Sequence, residues 1–329
     1  MKTFNKPFLV ILVVMLISGI TGCSQDKKSD VYTIGICQFN SNPLLDATRE
    51  GFIASLENTD FINRKNIKLN LKNAQGDIAT TQLIIQSFVQ SKVDLICAIS
   101  TPVLQASINT TEEIPIVFEA IANPYRVGAG KDSIHHRKNV TGASSPSPIK
   151  KGMELVLEVL PKATRIGTLW NPNEENSHFD IERARIYAKE LGLELIDVPV
   201  SSSNEVLMSA QVLSGKKIDA FFQILDNIVC SSFGSVVKVA DEKDIPLFTL
   251  DTKYTEEGAF AAIGWDYFDN GYMTGELALR VMNGENPEKI PFQTLEKIKL
   301  YFNLKAGKKQ NVILPDHLRN KANMIIEYE

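Results

Sequence analysis

Apolar and polar positions along this chain follow two periods in turn. "VYTIGIC" (31–37) is a short apolar run rich in β-branched residues, and "LLDATREGFIASLEN" (44–58) places its apolar residues at helical spacing. "NIKLNLKNA" (66–74) alternates with period two, as a half-exposed edge strand does, and "IATTQLIIQSFVQS" (78–91) returns to helical spacing. "VDLICAIS" (93–100) is apolar throughout, which suits a strand covered on both faces. "PVLQASINT" (102–110) predicts a helix and "IPIVFEAI" (114–121) another strand. Strand and helix in strict alternation argue for an α/β fold, a parallel sheet with helices on both faces.

Residues 122–138 break the pattern with Asn, Pro, Gly, Lys and Asp and show little periodicity, and "NVTGASSPSP" (139–148) follows. The alternation then starts again. Helices are expected over 148–161, 176–192, 204–215, 228–244 and 266–285, and strands over 165–170, 193–200, 218–225, 245–250, 259–264 and 295–303. Gly192 and Gly215 stand where helices end. The chain therefore reads as two similar, Rossmann-like halves. In parallel α/β sheets, ligands sit outside the carboxyl ends of the strands. Two such halves face to face line one cleft, a geometry that suits hinged closure on a small molecule.

The first thirty residues obey a different rule. Lys2 and Lys6 precede an almost wholly apolar stretch, Phe8 to Ile17, and small residues follow. That stretch is too short for a membrane span, which needs roughly 20 apolar residues, and reads as a secretory signal over 1–22. Ile20-Thr21-Gly22-Cys23 resembles a bacterial lipobox, which makes Cys23 the lipid-bearing new N-terminus and 23–30 a polar tether. The mature chain is then expected to work outside the cytoplasm, held to a membrane surface.

Composition narrows the function classes. Charged residues are 22% of the 329, hydrophobic residues 44%, and the net charge is -4, with no basic run or stripe to favour nucleic acid. Besides Cys23 there are three cysteines, Cys37, Cys97 and Cys230, an odd number that reads best as buried free thiols. The His135-His136 doublet lies in a polar loop, and no Cys/His spacing points to a metal site. No cofactor motif occurs: neither a phosphate loop nor a dinucleotide fingerprint is present.

"IGICQFNSNPLLDATREGF" resembles the opening of periplasmic-type substrate-binding proteins of ABC importers, in the branch whose ligands include tryptophan, tyrosine and phenylalanine. "STP" (100–102), "NVTG" (139–142), "NPNEENS" (171–177), "DN" (226–227), "GAFAAIGWDYFDNGYMTG" (258–275) and "YFNLKAGKK" (301–309) carry the same likeness, in order. The chain departs from the pattern at Asn42, where His is common, at Asn123-Pro124, where Asp-Pro is common, and in "SSPSP" (144–148). The resemblance implies a type I periplasmic-binding-protein-like fold with three hinge crossings, a small-molecule ligand of amino-acid type, and ABC permease subunits as partners. It divides the chain into a first lobe, 31–142 plus 267–292, and a second, 143–266 plus 293–329. Crossings are expected near Gly142, near Gly264-Trp265 and around 290–294.

Candidate ligand-binding residues stand at the strand ends. Gln38, Phe39 and Asn42 follow the first strand, where an amide can bond a ligand's polar end and Phe39 can supply a ring face; a loop tied by its own amides is the alternative. Ser100 and Thr101 open a helix whose free N–H groups suit a carboxylate, or merely cap it. Asn123 follows the strand 114–121. In the second half, Asn171, Glu174 and Asn176 fill the loop before a long helix. Asp226, with Asn227, suits an α-ammonium group, or caps its own helix. Asp251 follows another strand, and Trp265 either stacks on a ligand or packs the hinge. Two other functions compete with transport. A sensor that presents the solute to a membrane receptor would share these features. An exported α/β enzyme would need a G-x-S-x-G elbow, and none occurs.

Overall fold

The β-branched, apolar runs of the sequence become the central strands of two sheets. The computed structural model describes residues 31–57 and 66–327; the expected signal segment, Cys23 and the tether lie outside the described residues. The first half runs β1 (Tyr32–Gln38), α1 (Pro43–Glu57), β2 (Ile67–Asn73), α2 (Ile78–Gln90), β3 (Leu95–Ile99), α3 (Thr101–Thr110), β4 (Ile116–Ile121) and β5 (Val140–Ser144). All pairings in this sheet are parallel, in the order β11-β5-β4-β3-β1-β2, where β11 is Gln293–Thr294. Every residue of β3 is buried, whereas β2, at the edge, keeps the half-exposed pattern of its alternation. α2 begins where the Asp77 carboxylate accepts a hydrogen bond from the Thr80 N–H at 2.6 Å.

The second sheet collects β6 (Arg165–Trp170), β7 (Glu194–Pro199), β8 (Ala220–Gln223), β9 (Leu247–Asp251), β10 (Ala261–Trp265), β12 (Lys299–Asn303) and β13 (Met324–Ile326). Its order is β13-β12-β10-β9-β8-β6-β7, and β12 runs antiparallel to β10 while the other pairs are parallel. Its helices are α4 (Ile149–Val159), α5 (Glu175–Glu190), α6 (Val206–Ser214), α7 (Asn227–Ser231), α8 (Phe233–Lys243), α10 (Leu304–Lys309) and α11 (Asp316–Arg319). α9 (Tyr267–Met282) follows β10 but packs on α1 and β4 of the first sheet.

The chain thus passes between the sheets three times: after Ser144, after Trp265 and after Thr294. Ala143, Ser144, Gln293 and Thr294 pair in the first sheet, two residues past the boundaries expected from sequence. The indole N–H of Trp265 donates to the Pro146 carbonyl at 2.9 Å, and Lys299 Nζ meets Asp266 Oδ2 at 2.5 Å, so residues of all three passages are tied to one another.

Two expectations are corrected. Residues 140–144, where no element is expected, form β5; Gly142 masks the strand in the sequence but is required there, because a Cβ would sit 2.3 Å from the Phe118 carbonyl oxygen. The helix expected over 228–244 is two helices, interrupted at Ser232, whose φ of -122° and ψ of 22° leave the helical region. Cys37, Cys97 and Cys230 are free and buried, and burial pushes the Cys37 and Cys230 thiols up to about 12.

Candidate functional site

The carboxyl ends of both sheets open on one narrow cavity of ≈ 40 Å³. Asn42, Ser100, Asn176, Asp226 and Asn227 line it. So do Leu44, Leu45, Ser145, Ser147, Asp180 and Tyr267, which sequence reasoning did not single out. None of its lining residues carries a positive charge. A space of this size holds about three water-sized centres, so a solute larger than that enters only when the two sides part.

Asn227 joins the two sides. Its backbone carbonyl accepts from Asn40 Nδ2 at 2.9 Å, and its side-chain oxygen accepts from Ser100 Oγ at 3.2 Å. Its own amide donates to Glu174. Glu174 also accepts from Asn171 Nδ2 at 3.1 Å. Asp226 stands beside it: Oδ1 accepts from the Val229 N–H at 2.8 Å and Oδ2 from the Asn171 N–H at 2.7 Å. Burial raises the carboxyls of both Glu174 and Asp226, and for Glu174 the nearness of Asp226 adds to the effect. Two acids buried together, with amide donors but no cation, have electrostatic capacity for an incoming positive group.

The first-sheet side is polar without charge. Ser100 follows β3 with φ 85°, and Ala120, at the end of β4, has φ 54°. Both line the cavity, and neither is the glycine such backbone favours. The Asn270 side chain holds the Ala120 turn by accepting from its N–H at 2.9 Å. Thr101, at the start of α3, is buried and its hydroxyl has no partner; the same is true of Asn176 Oδ1. Asn42 caps α1 through the Leu45 N–H at 2.9 Å while facing the cavity.

Other candidates stand elsewhere. Gln38 is fully engaged by Asn40, Asp46 and Arg49 behind the loop, and Phe39 packs in the core of the first sheet. Asn123 caps a turn through the Tyr125 and Arg126 N–H groups, and the Tyr125 ring lies on Phe292. Asn171 and Glu174 belong to the network under the cavity. Asp251 is wholly buried, its Oδ1 accepting from the Lys253 N–H at 2.9 Å. The Trp265 ring packs in the core of the first sheet, and its N–H is bound to the Pro146 carbonyl in the passage between the sheets. In the 122–138 loop, His136 stacks on Phe292 and His135 pairs with Asp132.

Asp180 had a signal that period analysis could have caught. The buried face of α5 is Ser177, Asp180, Ile181, Ala184 and Ala188, and a carboxylate on the core stripe of an amphipathic helix is anomalous. Tyr267 had none: it opens α9, and only the packing of that helix brings its ring to the cavity.

The family model described as "ABC transporter substrate binding protein" matches residues 33–326. A "Tyrosine-binding protein" from Clostridioides difficile (strain R20291) is 38% identical over 307 residues, spanning 90% of this chain and 89% of that protein. A solved ABC domain from Streptococcus pneumonia in complex with L-Trp is 28% identical, with a TM-score of 0.86 over 90% of this chain and 100% of that one. The ligand-free, open structure of a substrate binding protein with adhesive properties from Clostridium difficile is 36% identical, with a TM-score of 0.68 over 91% of this chain and all of that one. The chain superposes better on the ligand complex than on the open structure, although the open one is nearer in sequence.

Proposed function

From the premise that the chain belongs to the ABC transporter substrate-binding proteins, we propose that it captures an aromatic amino acid between two hinged lobes and delivers it to an importer. Its two mostly parallel sheets have the type I periplasmic-binding-protein-like arrangement. The family works outside the cytoplasm, with ABC permease subunits as partners. In our reading a lipid on Cys23 keeps the protein beside that permease, with 23–30 as the tether. In this reading 143–144 and 293–294, which pair in the first sheet, move with the first lobe.

The observation that carries the ligand class is the charge of the cavity: buried acids on one side, neutral donors on the other, and no cation. Asp226, which lines the cavity, takes the α-ammonium, and the carboxyl of Glu174 in the network beneath adds negative charge behind it. Ser100, on the cavity lining at the positive end of the α3 dipole, takes the carboxylate, with the unpartnered Thr101 hydroxyl next to it in the chain. Leu44, Leu45, Leu225 and the Tyr267 ring surround the side chain. The names of the Clostridioides difficile relative and of the L-Trp complex support an aromatic side chain.

A thermal-shift panel of the common amino acids, with sugars and nucleosides as controls, tests this. A ligand at ~100 times its Kd stabilises the fold by ~2.7 kcal/mol, so tyrosine or tryptophan should raise Tm clearly. A shift with a sugar or nucleoside, and none with any amino acid, overturns the reading.

A further inference from the structure

The cavity holds a second acid pole for which an α-ammonium has no use. Asp180 is 1% exposed and lines the same cavity, yet it is not part of the Glu174–Asp226–Asn227 network. Its Oδ2 accepts from Ser147 Oγ at 2.5 Å. Its Oδ1 has only a long contact, 3.4 Å, from Arg183 Nη1, whose neighbouring nitrogen donates to the Ser147 carbonyl at 3.0 Å. A carboxylate offers about four acceptor positions, so acceptor capacity remains on the cavity side. Burial raises this carboxyl, to about 6, and Ser147 and Arg183 oppose the rise, which leaves it mostly ionised at neutral pH.

Ser147 and Arg183 are its hydrogen-bond partners, and both approach from outside the space a ligand would take. Asn176 Oδ1, on the same lining, is an unpartnered acceptor. A buried charged acceptor gains from each further donor. A ligand that carries a donor can supply one. With Asp226 holding the ammonium, that donor lies elsewhere on the molecule.

We propose that Asp180 is a specificity-determining residue: it accepts a hydrogen bond from a polar donor on the ligand's ring, a phenolic O–H or an indole N–H, and thereby selects tyrosine and tryptophan over phenylalanine. This rests on the aromatic amino acid reading above. Ser147 and Arg183 position the carboxylate. Phenylalanine fits the same space but leaves the acceptor unpaired, and a site built for a hydroxyl discriminates strongly against the analogue that lacks one.

Calorimetric titration of the purified full chain with tyrosine, tryptophan, phenylalanine, O-methyltyrosine, 4-aminophenylalanine and lysine decides the matter. Tyrosine, tryptophan and 4-aminophenylalanine should each bind at least ~10-fold more tightly than phenylalanine and O-methyltyrosine, the worth of one charge-assisted hydrogen bond. In Asp180→Asn the ratio of tyrosine to phenylalanine affinity should fall toward one. Should that variant fail to fold, the ligand series on the unaltered protein still decides. Equal binding of all the aromatic amino acids overturns the selection by Asp180 and leaves the aromatic reading standing. Tighter binding of lysine than of tyrosine, or an equal loss for tyrosine and phenylalanine in Asp180→Asn, also overturns it. Binding of none of them by the unaltered protein removes the aromatic reading itself.

Discussion

Arg126 Nη1 meets Glu182 Oε2 at 2.6 Å, a pair that joins the loop after β4 to helix α5. The same guanidinium reaches Glu175, two turns earlier on that helix, and lies 5.8 Å from the centre of the Phe179 ring. These partners belong to opposite sheets, so the cluster exists only while the two sides are together. Half-exposed ion pairs contribute ~0.2–1 kcal/mol each. Arg126→Ala should therefore speed ligand release about 2- to 10-fold in stopped-flow measurements at low salt, with a smaller effect at high salt as screening grows. Small-angle scattering should show compaction on ligand binding in both forms. Identical radii of gyration with and without ligand would argue for a rigid receptor.

Asp226 has two duties, and substitutions separate them. Its carboxylate caps α7 and holds the Asn171 N–H, so Asp226→Ala should cost roughly 1 kcal/mol or more in denaturant unfolding. Removing one member of a buried charge pair costs about 2–5 kcal/mol of binding, so affinity should fall at least ~30-fold. Asp226→Asn preserves the volume and should recover part of the stability but little of the affinity. Full affinity in Asp226→Asn would show that the ammonium goes elsewhere.

The pH dependence of stability follows from Asp251. It is wholly buried and its Oδ2 has no partner. Burial pushes its carboxyl from an ordinary 3.8 up to about 7. The fold prefers the protonated form. Its contribution is therefore complete below pH ~4 and is lost as pH rises through about 7. Asp251→Asn keeps the oxygen that accepts from the Lys253 N–H and removes the charge. The variant's advantage over the parent should be larger at about pH 8 than at about pH 5 by on the order of 1–3 kcal/mol. Parallel melting curves at the two pH values would contradict this.

Helices α1 and α9 touch backbone to backbone. A Cβ at Gly271 would lie 1.8 Å from the Thr48 carbonyl oxygen, and one at Gly51 would lie 2.0 Å from that of Phe268. Neither neighbour is a flexible side chain, so the helices must separate. Gly271→Ala should destabilise by ~1–3 kcal/mol or more by calorimetry. An unchanged Tm would contradict the close approach of the two helices.

Anchoring is tested in cells. Cys23→Ser should move the protein from the detergent phase to the aqueous phase on fractionation. Continued partition with detergent would rule out Cys23 as the lipid-bearing residue.

The elements were legible because their information is local. The apolar stretch 93–100 contains β3, and the spacing of 78–91 marks α2 to within a residue. β5 escaped because Gly142 removes its alternation, and that glycine answers to Phe118 on the neighbouring strand. Among the candidate residues, position at a strand's carboxyl end was readable, but side-chain direction was not. Gln38 and Asn42 flank one short loop; Gln38 turns back to Asp46 and Arg49, and Asn42 faces the cavity. That choice depends on which partner lies nearer once α1 is docked.

By itself the sequence determined two α/β halves, the order of their elements and the strand ends where a ligand could sit, since periodicity and turn chemistry act over a few residues. Only the tertiary structure decided which polar groups share the cavity. Asn227 meets Asn40 and Ser100, 187 and 127 residues away, and Ser147 meets Asp180 across 33. Contacts at those separations arise when two independently patterned sheets close on each other, and no local period records them.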